Sequence, residues 1–242
     1  MNIVDILDKC AISELLQKAG EKGRRYKSEA QLQFELAWDI KQLLKKHKCK
    51  YSPEVRLEYF SAYRKLESGK VKKFFTDIMI IDEQGNYIPI ELKYKTKSIG
   101  DNVFDDFGYH GATDLGRFDY LWDLKRIQYL KHKVGPDFEF NPELKNYCRG
   151  FAIILTNDEH YWEVTKESKA KQPPLYYDFC IGKYQEIPAN TELKWKNDGV
   201  GSVVDNTWRN DHKYVVPLVF DRSIICKWDT YSEDFMFLII ET

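Results

Sequence analysis

Two acids and a lysine are spaced so that a single strand pair can gather them. FFTDIMII (74–81) and YIPIELKY (87–94) are apolar runs flanking DEQGN, whose residue types, Gly85 above all, favour a tight reversal, so the sequence predicts a β-hairpin. Strand side chains alternate between faces, which places Glu91 and Lys93 together, opposite Ile88, Ile90 and Leu92. If Ile81 faces Tyr87 across the turn, Asp77 falls opposite Glu91, and such opposed residues hold their Cβ atoms roughly 4.5–5.5 Å apart. Two carboxylates buried together among Phe, Ile, Met and Leu are costly unless a cation holds them, and Lys93 balances only one. All-oxygen ligation favours Mg²⁺ or Mn²⁺ over zinc. Such an ion lowers the pKa of a bound water and stabilises charge on a phosphoryl oxygen. Lys93 would orient that water or neutralise developing negative charge. The bland alternative is a pair of outward-pointing acids, or a salt bridge to Lys93, because an acid followed by a lysine is common. The register and the apolar neighbours weigh against it.

Glu29 adds independent weight. At about 100° per residue, Leu32, Leu36, Ile40, Leu43 and Leu44 share one arc of a helix, and Glu29 lies mid-arc while Glu35 falls outside. An acid on a core-facing stripe is either a partner for the helix N-terminus or a further metal or water ligand. Lys70, Lys72 and Lys73 precede the strand bearing Asp77, with Arg64 and Lys65 upstream, and Lys95 and Lys97 follow Lys93. Their placement suits phosphate contacts flanking a cleavage site, with a solvated loop as the competing view. Arg117, Asp119 and Asp123 open a later helix and either line a cleft or serve as caps and surface pairs. Asp158, Glu159 and His160 read as a loop. Trp162, Trp195, Trp208 and Trp228 suit core packing better than base stacking.

The elements that must position these residues follow from periodicity. Residues 3–19 predict a short amphipathic helix ended by Gly20 and Gly23, and a second helix starts at Ser28 and runs through KKHK. EVRLEYF (54–60) alternates as a half-buried strand, followed by a basic loop, SAYRKLESGKVKK, and the hairpin. Pro89 lacks a ladder donor, which predicts a bulge or an unpaired side. Residues 96–116 read as a loop, 117–133 as a helix and GFAIILTND (150–158) as a strand covered on both faces. The order is helix, three strands, helix, strand: an α/β sandwich around a mixed sheet. Beyond about residue 165, KESKAKQPP reads as a linker. YYDFCI, TELKW, YVVPLVF, SIICKW and FMFLIIE then form a β-rich extension over 166–242, packed on the 1–165 core.

Composition narrows the classes. Hydrophobic residues make up 43% and aromatics 15% of 242 residues, enough for a folded core. The five cysteines are scattered without a C-x-x-C pair, and the histidines are dispersed, which argues against a zinc knuckle or disulfide framework and for reduced thiols in a cytosol. No apolar run approaches the ~18 residues of a membrane span, and acids and Lys9 interrupt the N-terminal apolar residues, unlike a signal peptide. The expected location is cytoplasmic. Residues 1–100 carry 20 Lys+Arg against 14 Asp+Glu, leaving +6, while 101–242 carry 17 against 24, leaving -7. A basic half attracts phosphate even in a near-neutral protein.

These residues resemble the PD-(D/E)XK nuclease superfamily, the fold of many restriction endonucleases and Holliday-junction resolvases. Its α-β-β-β-α-β order matches residues 25–157, and its motif appears as T-D at 76–77 and E-L-K at 91–93, with thirteen residues between. Thr76 stands at the nominal proline. RFDYLWDLKRIQYL and ILTNDEHYW also look like pieces of an uncharacterised bacterial branch. The resemblance implies that Asp77, Glu91 and the Leu92 carbonyl ligate Mg²⁺ or Mn²⁺, that Lys93 serves the attacking water, and that Glu29 matches an acid some members carry on the first helix. It implies a restriction-endonuclease-like fold and a metal-dependent endonuclease acting on DNA in defence, restriction or repair, with a homodimer as a possible form. The alternatives are a catalytically silent nucleic-acid-binding module on the same fold, and a glycan hydrolase using paired carboxylates. Against the last, directly opposed acids leave too little room for an inverting water.

Overall fold

The computed structural model describes residues 1–65, 69–97, 113–135, 138–163, 177–194 and 217–242. The N-terminal segment forms two helices where one was expected, α1 (Ile3–Ile6) and α2 (Lys9–Glu21). Asp8 separates them: its carboxylate accepts the Ala11 N–H at 2.7 Å and starts the second. Ser28 caps α3 (Glu29–Lys46) in the same way, accepting the Gln31 N–H at 3.2 Å, and buries a Leu32, Leu36, Ile40, Leu44 face.

β1 (Glu54–Lys65), β2 (Val71–Ile81) and β3 (Asn86–Lys95) form an antiparallel meander. The hairpin register, Ile81↔Tyr87 to Ile78↔Ile90, is the one expected, but the ladder ends there, one pair short of the expected Asp77–Glu91 opposition, and Glu91 pairs instead with Ala152 of the neighbouring strand. Asp82 fixes the turn by accepting the Gln84 and Asn86 N–H groups at 2.9 and 3.0 Å, while Gly85 sits at φ 78°. Pro89 faces Met79 without a register shift, so no bulge forms there. On its other edge it lies between the pairings of β3 with β5 (Asn146–Tyr147) and with β6 (Phe151–Thr156), and that gap is the unpaired side.

The expected basic loop is instead a two-stranded ribbon, paired out to Lys65↔Val71 with a bulge in β1 between Phe60 and Ala62. Cross-strand aromatic contacts, such as Phe60 with Phe75 at 6.0 Å, and an edge strand β4 (Phe138–Phe140) outweigh its charged composition. Leu57 departs from the expected inward alternation and is 40% exposed, next to Glu58, whose φ of 45° breaks the pleat.

α4 (Thr113–His132) leads into β6, which runs parallel to β3; the last residues of the predicted 96–116 loop belong to this helix, and 98–112 lie outside the described residues. β10 (Met236–Glu241) lies antiparallel beside β6, and β9 (Trp228–Thr230) beside β10. The main order is β4-β1-β2-β3-β6-β10-β9, and β7 (Glu186–Ile187) with β8 (Ile224–Ile225) makes a separate pair. The extension thus contributes strands to the main sheet. Within YYDFCI the expected strand is a 3-10 turn at Tyr177–Phe179, and Leu193↔Leu218 is an isolated bridge. KESKAKQPP, Trp195 and Trp208 lie outside the described residues.

The result is a mixed α/β protein with a mostly antiparallel sheet. α1–α3 cover Ile78, Ile80, Ile88, Ile90, Leu92 and Tyr94 on one face; α4 covers Ala152, Ile154, Leu238 and Ile240 on the other. β6 is buried along its length, as expected. Among the described residues no helix is long and apolar enough to cross a membrane.

Candidate active site

The site lies where two strands part. β2 and β3 are paired up to Ile78↔Ile90, after which β2 continues beside β1 and β3 beside β6. Diverging strands orphan backbone groups that need other partners. The Leu92 N–H donates to Asp77 Oδ2 at 2.6 Å, and the Tyr94 N–H to Glu29 Oε2 at 2.7 Å. Gln33 Nε2 donates to the Asp77 carbonyl at 2.6 Å and to Glu58 Oε1 at 2.8 Å. Two carboxylates therefore stand where ladder partners would be. A strand residue turns its N–H and C=O to the same edge, so the Leu92 carbonyl also opens into the fork, where the Lys93 ammonium donates to it at 3.2 Å.

Even-numbered residues of β3 face α3, so Glu91 and Lys93 project toward α4. There Asp123 and Arg126 lie one helical turn apart. Lys93 Nζ is 2.5 Å from Asp123 Oδ2. The Arg126 guanidinium is 3.0 Å from Asp123 Oδ1 and 3.2 Å from Glu91 Oε1, and it also donates to the Phe75 carbonyl of β2. Glu91 is only 2% and Asp123 4% exposed. Glu91 Oε1 is buried without a hydrogen-bond partner. Among the described residues Glu29, Asp77, Glu91 and Asp123 are opposed by Lys93 and Arg126, which leaves two negative charges in excess when all are ionised.

The titration properties reflect that imbalance. Burial, reinforced by Asp123 and Glu29 and moderated by Lys93 and the Leu92 N–H, pushes the Asp77 carboxyl up to about 6. Burial pushes Glu91 well above the usual carboxylate range, against the pull of Arg126. For Asp123 burial acts upward too, but Lys93 and Arg126 outweigh it and hold the carboxyl below its ordinary value. Burial works against the Lys93 ammonium, yet Asp123, Glu29 and Asp77 overcome it and raise its pKa. Lys93 is a fixed cation.

Asp77, Glu91, Lys93, Glu29 and the Leu92 carbonyl are thus neighbours, but the three predicted acids are not poised as a ready cage. Among the described residues the one group of three or more His, Cys, Asp or Glu with ligand atoms all within 4.8 Å is Asp158, Glu159 and His160. Arg126 holds Glu91, and the Tyr94 N–H holds Glu29. The Asp158 group is a capped turn: Asp158 Oδ1 accepts the His160 N–H at 3.1 Å and lies 2.6 Å from His160 Nδ1, while Glu159 pairs with Lys97.

The expected phosphate contacts divide. By alternation Lys73 shares the face of Asp77, and Lys95 that of Lys93, whereas Lys72 points to the other side of β2. Lys70 is exposed before β2 begins. Lys97 is committed to Glu159 and so does not stand open to phosphate. Arg117 is buried and donates to the His160 carbonyl, which removes it from any cleft. Trp162 packs against Trp228 at 6.0 Å. Arg126, Gln33 and Glu58 were not read from the sequence as site residues. Arg126 had one available signal: it is a charge on a helix whose neighbours Leu124, Ile127 and Leu130 are all buried.

The fold and site together define a mixed α/β protein with a buried carboxylate–lysine–arginine cluster at a strand fork. Comparison with family models, curated protein sequences and solved structures returns no match.

Proposed function

We propose that this chain is a metal-dependent nuclease that hydrolyses phosphodiester bonds of DNA, an endonuclease of defence, restriction or repair on a restriction-endonuclease-like, PD-(D/E)XK fold. The observation that carries the reading is the imbalance of a largely buried cluster, four carboxyl groups beside Lys93 and Arg126, with ionisation of Asp77 and Glu91 opposed by burial. Two buried charges of one sign are expensive to hold without a counter-ion, and Mg²⁺ or Mn²⁺ matches both the charge and the oxygen donors. The order α3-β1-β2-β3-α4, followed after the short strands β4 and β5 by β6, with T-D on β2 and E-L-K on β3, supports the fold assignment. That is an argument by analogy of fold.

Asp77, Glu91 and the Leu92 carbonyl would hold the cation, with Glu29 beside them; Glu91 Oε1, which meets the Arg126 guanidinium at 3.2 Å without an aligned hydrogen bond, is an acceptor it would satisfy. When bound, such an ion supplies an acidified water and neutralises charge on a phosphoryl oxygen. Lys93, held protonated, donates to the attacking water or a phosphoryl oxygen and takes no part as a proton acceptor. Asp123 positions Lys93 through their contact, and Arg126 ties Glu91 and Asp123 of opposite elements together.

The test is cleavage of supercoiled plasmid, linear duplex and single-stranded DNA, with Mg²⁺, Mn²⁺ or chelator, by wild type and Lys93→Ala. Cleavage that requires metal and disappears in a folded Lys93→Ala is the expected result. Absence of cutting, with no divalent-ion binding by calorimetry, overturns it. One observation favours a second reading, a silent nucleic-acid-binding module: Asp77 and Glu29 already satisfy β3 backbone donors. Tight DNA binding without turnover selects that alternative.

A further inference from the structure

The outward face of α3 carries a feature that neither the core nor the strand fork uses. Phe34 and Trp38, four residues apart, are 60% and 54% exposed, although large aromatics usually bury most of their surface. Trp38 opens onto a surface groove of about 500 Å³ whose other lining residues include Lys41, Gln42, Lys45 and Lys48, and no acid. None of these three ammonium groups has an ion-pair partner among the described residues. The nearby acids of the helix are spoken for: Asp39 lies 2.5 Å and Glu35 3.6 Å from Arg24. Lys45 and Lys48, at and just beyond the end of α3, also suit the helix C-terminus through the macrodipole, but Lys41 and the two aromatics have no such structural part.

We infer that this face is a docking track for single-stranded nucleic acid, with Trp38 and Phe34 stacking bases and Lys41, Lys45 and Lys48 contacting phosphates. Positions 34, 38, 41 and 45 recur at intervals of four and three, one stripe of α3, and Lys48 follows in the turn just beyond the helix end, where it lines the same groove. Two flat π-faces followed by three cations offer base-stacking surfaces and phosphate contacts side by side, which suits a polymer of bases and phosphates. An acidic peptide would use the cations and leave the ring faces idle. A membrane-surface helix needs a continuous apolar face, and the apolar face of α3 is already buried against the sheet. The stripe points from the site: Glu29 opens α3, and at about 1.5 Å per residue Trp38 lies about 14 Å and Lys45 about 24 Å farther along. Its purpose as a lead toward the fork rests on the nuclease reading; its capacity to bind does not.

The test keeps the two apart. Anisotropy of a fluorescein-labelled oligothymidylate is measured in chelator, so that nothing is cut, for wild type, Trp38→Ala, Trp38→Phe and the triple variant K41Q/K45Q/K48Q. Trp38→Ala should weaken binding roughly 10-fold, and Trp38→Phe should restore most of it. The triple variant should lower the slope of log affinity against log salt by about 2, the share of three single-strand phosphate contacts. Binding unchanged in Trp38→Ala and in the triple variant, with folding verified by circular dichroism, overturns the inference. So does Trp38-dependent binding of polyglutamate or of phosphatidylserine–phosphatidylcholine vesicles where the oligonucleotide fails to bind. If wild type binds through Trp38 but never cuts, the track stands and the nuclease reading falls. If it cuts and the α3 variants bind normally, the reverse holds.

Discussion

Replacing Asp77 by Asn separates a ligand held under strain from a carboxylate that merely caps a strand. Asp77 titrates at about 6 in the folded chain against an ordinary 3.8. The native state therefore binds its proton more tightly than the unfolded chain does. Over the interval between those values the folded protein carries more protons, so stability falls as pH rises, and the full penalty stands above about pH 6. The difference corresponds to about 3 kcal/mol at neutral pH, and to about half of that at pH 5. Asn removes the charge while leaving an oxygen to accept the Leu92 N–H now bonded at 2.6 Å. In chelator at pH 7.5, Asp77→Asn should therefore raise stability by about 1–3 kcal/mol, or several degrees of melting temperature for a chain of this size. The gain should shrink at pH 5. Mg²⁺ should then stabilise wild type by about 2.7 kcal/mol at a hundredfold excess over its dissociation constant, raising its melting temperature, and leave the variant unmoved. Thermal melts at the two pH values, with and without metal, read all of this. A variant that melts below wild type at pH 7.5 without metal would refute the strained-ligand reasoning and make Asp77 a structural cap.

Further expectations follow from the same cluster. Divalent-ion affinity should rise between about pH 5 and pH 7 as the proton leaves Asp77, and binding should also displace the proton that burial favours on Glu91, so calorimetry in buffers of different ionisation enthalpy should detect proton release. Asp123→Asn frees Lys93 from its 2.5 Å partner and removes one of the charges that hold it protonated. Turnover on DNA should fall at least 10-fold, with Michaelis constant and metal affinity little changed; an unaltered turnover number counts against a positioning part for Asp123. Gly85→Ala places a side chain at φ 78°, with its Cβ 2.9 Å from Lys145 side-chain atoms and 3.0 Å from the Glu143 carbonyl. It should cost about 1–2 kcal/mol by urea unfolding, without affecting metal affinity.

Local chemistry explains which parts of the structure could be read in advance. The hairpin register depends on a five-residue turn with Asp82 and Gly85 at fixed places, and the sequence displays both. Glu29 is conspicuous because it interrupts an apolar helical stripe. Arg126, Gln33 and Glu58 act only once α4 and α3 have closed over the sheet from opposite sides, an arrangement with no local signature. The β1–β2 ribbon was misread because lysines and a glycine suggested a loop. The aromatics that stitch it pair across strands, Phe60 with Phe75, and sequence spacing alone does not display that. In the extension, β7, β8 and β9 span two or three residues, too few for alternation to register.

The placement of β10 has a consequence for how the protein is made. β6 emerges from the ribosome with one edge paired to β3, while the partner of its other edge is encoded at 236–241, 80 residues after β6 ends at Thr156. Throughout that stretch of translation a strand apolar from Phe151 to Leu155 offers unpaired N–H and C=O groups, a template for association with any neighbouring nascent chain. Every acid of the charged cluster has been synthesised by residue 123, well before that edge is closed. Yield from recombinant expression should therefore depend on chaperone supply and on slow growth far more than the size of the core would suggest.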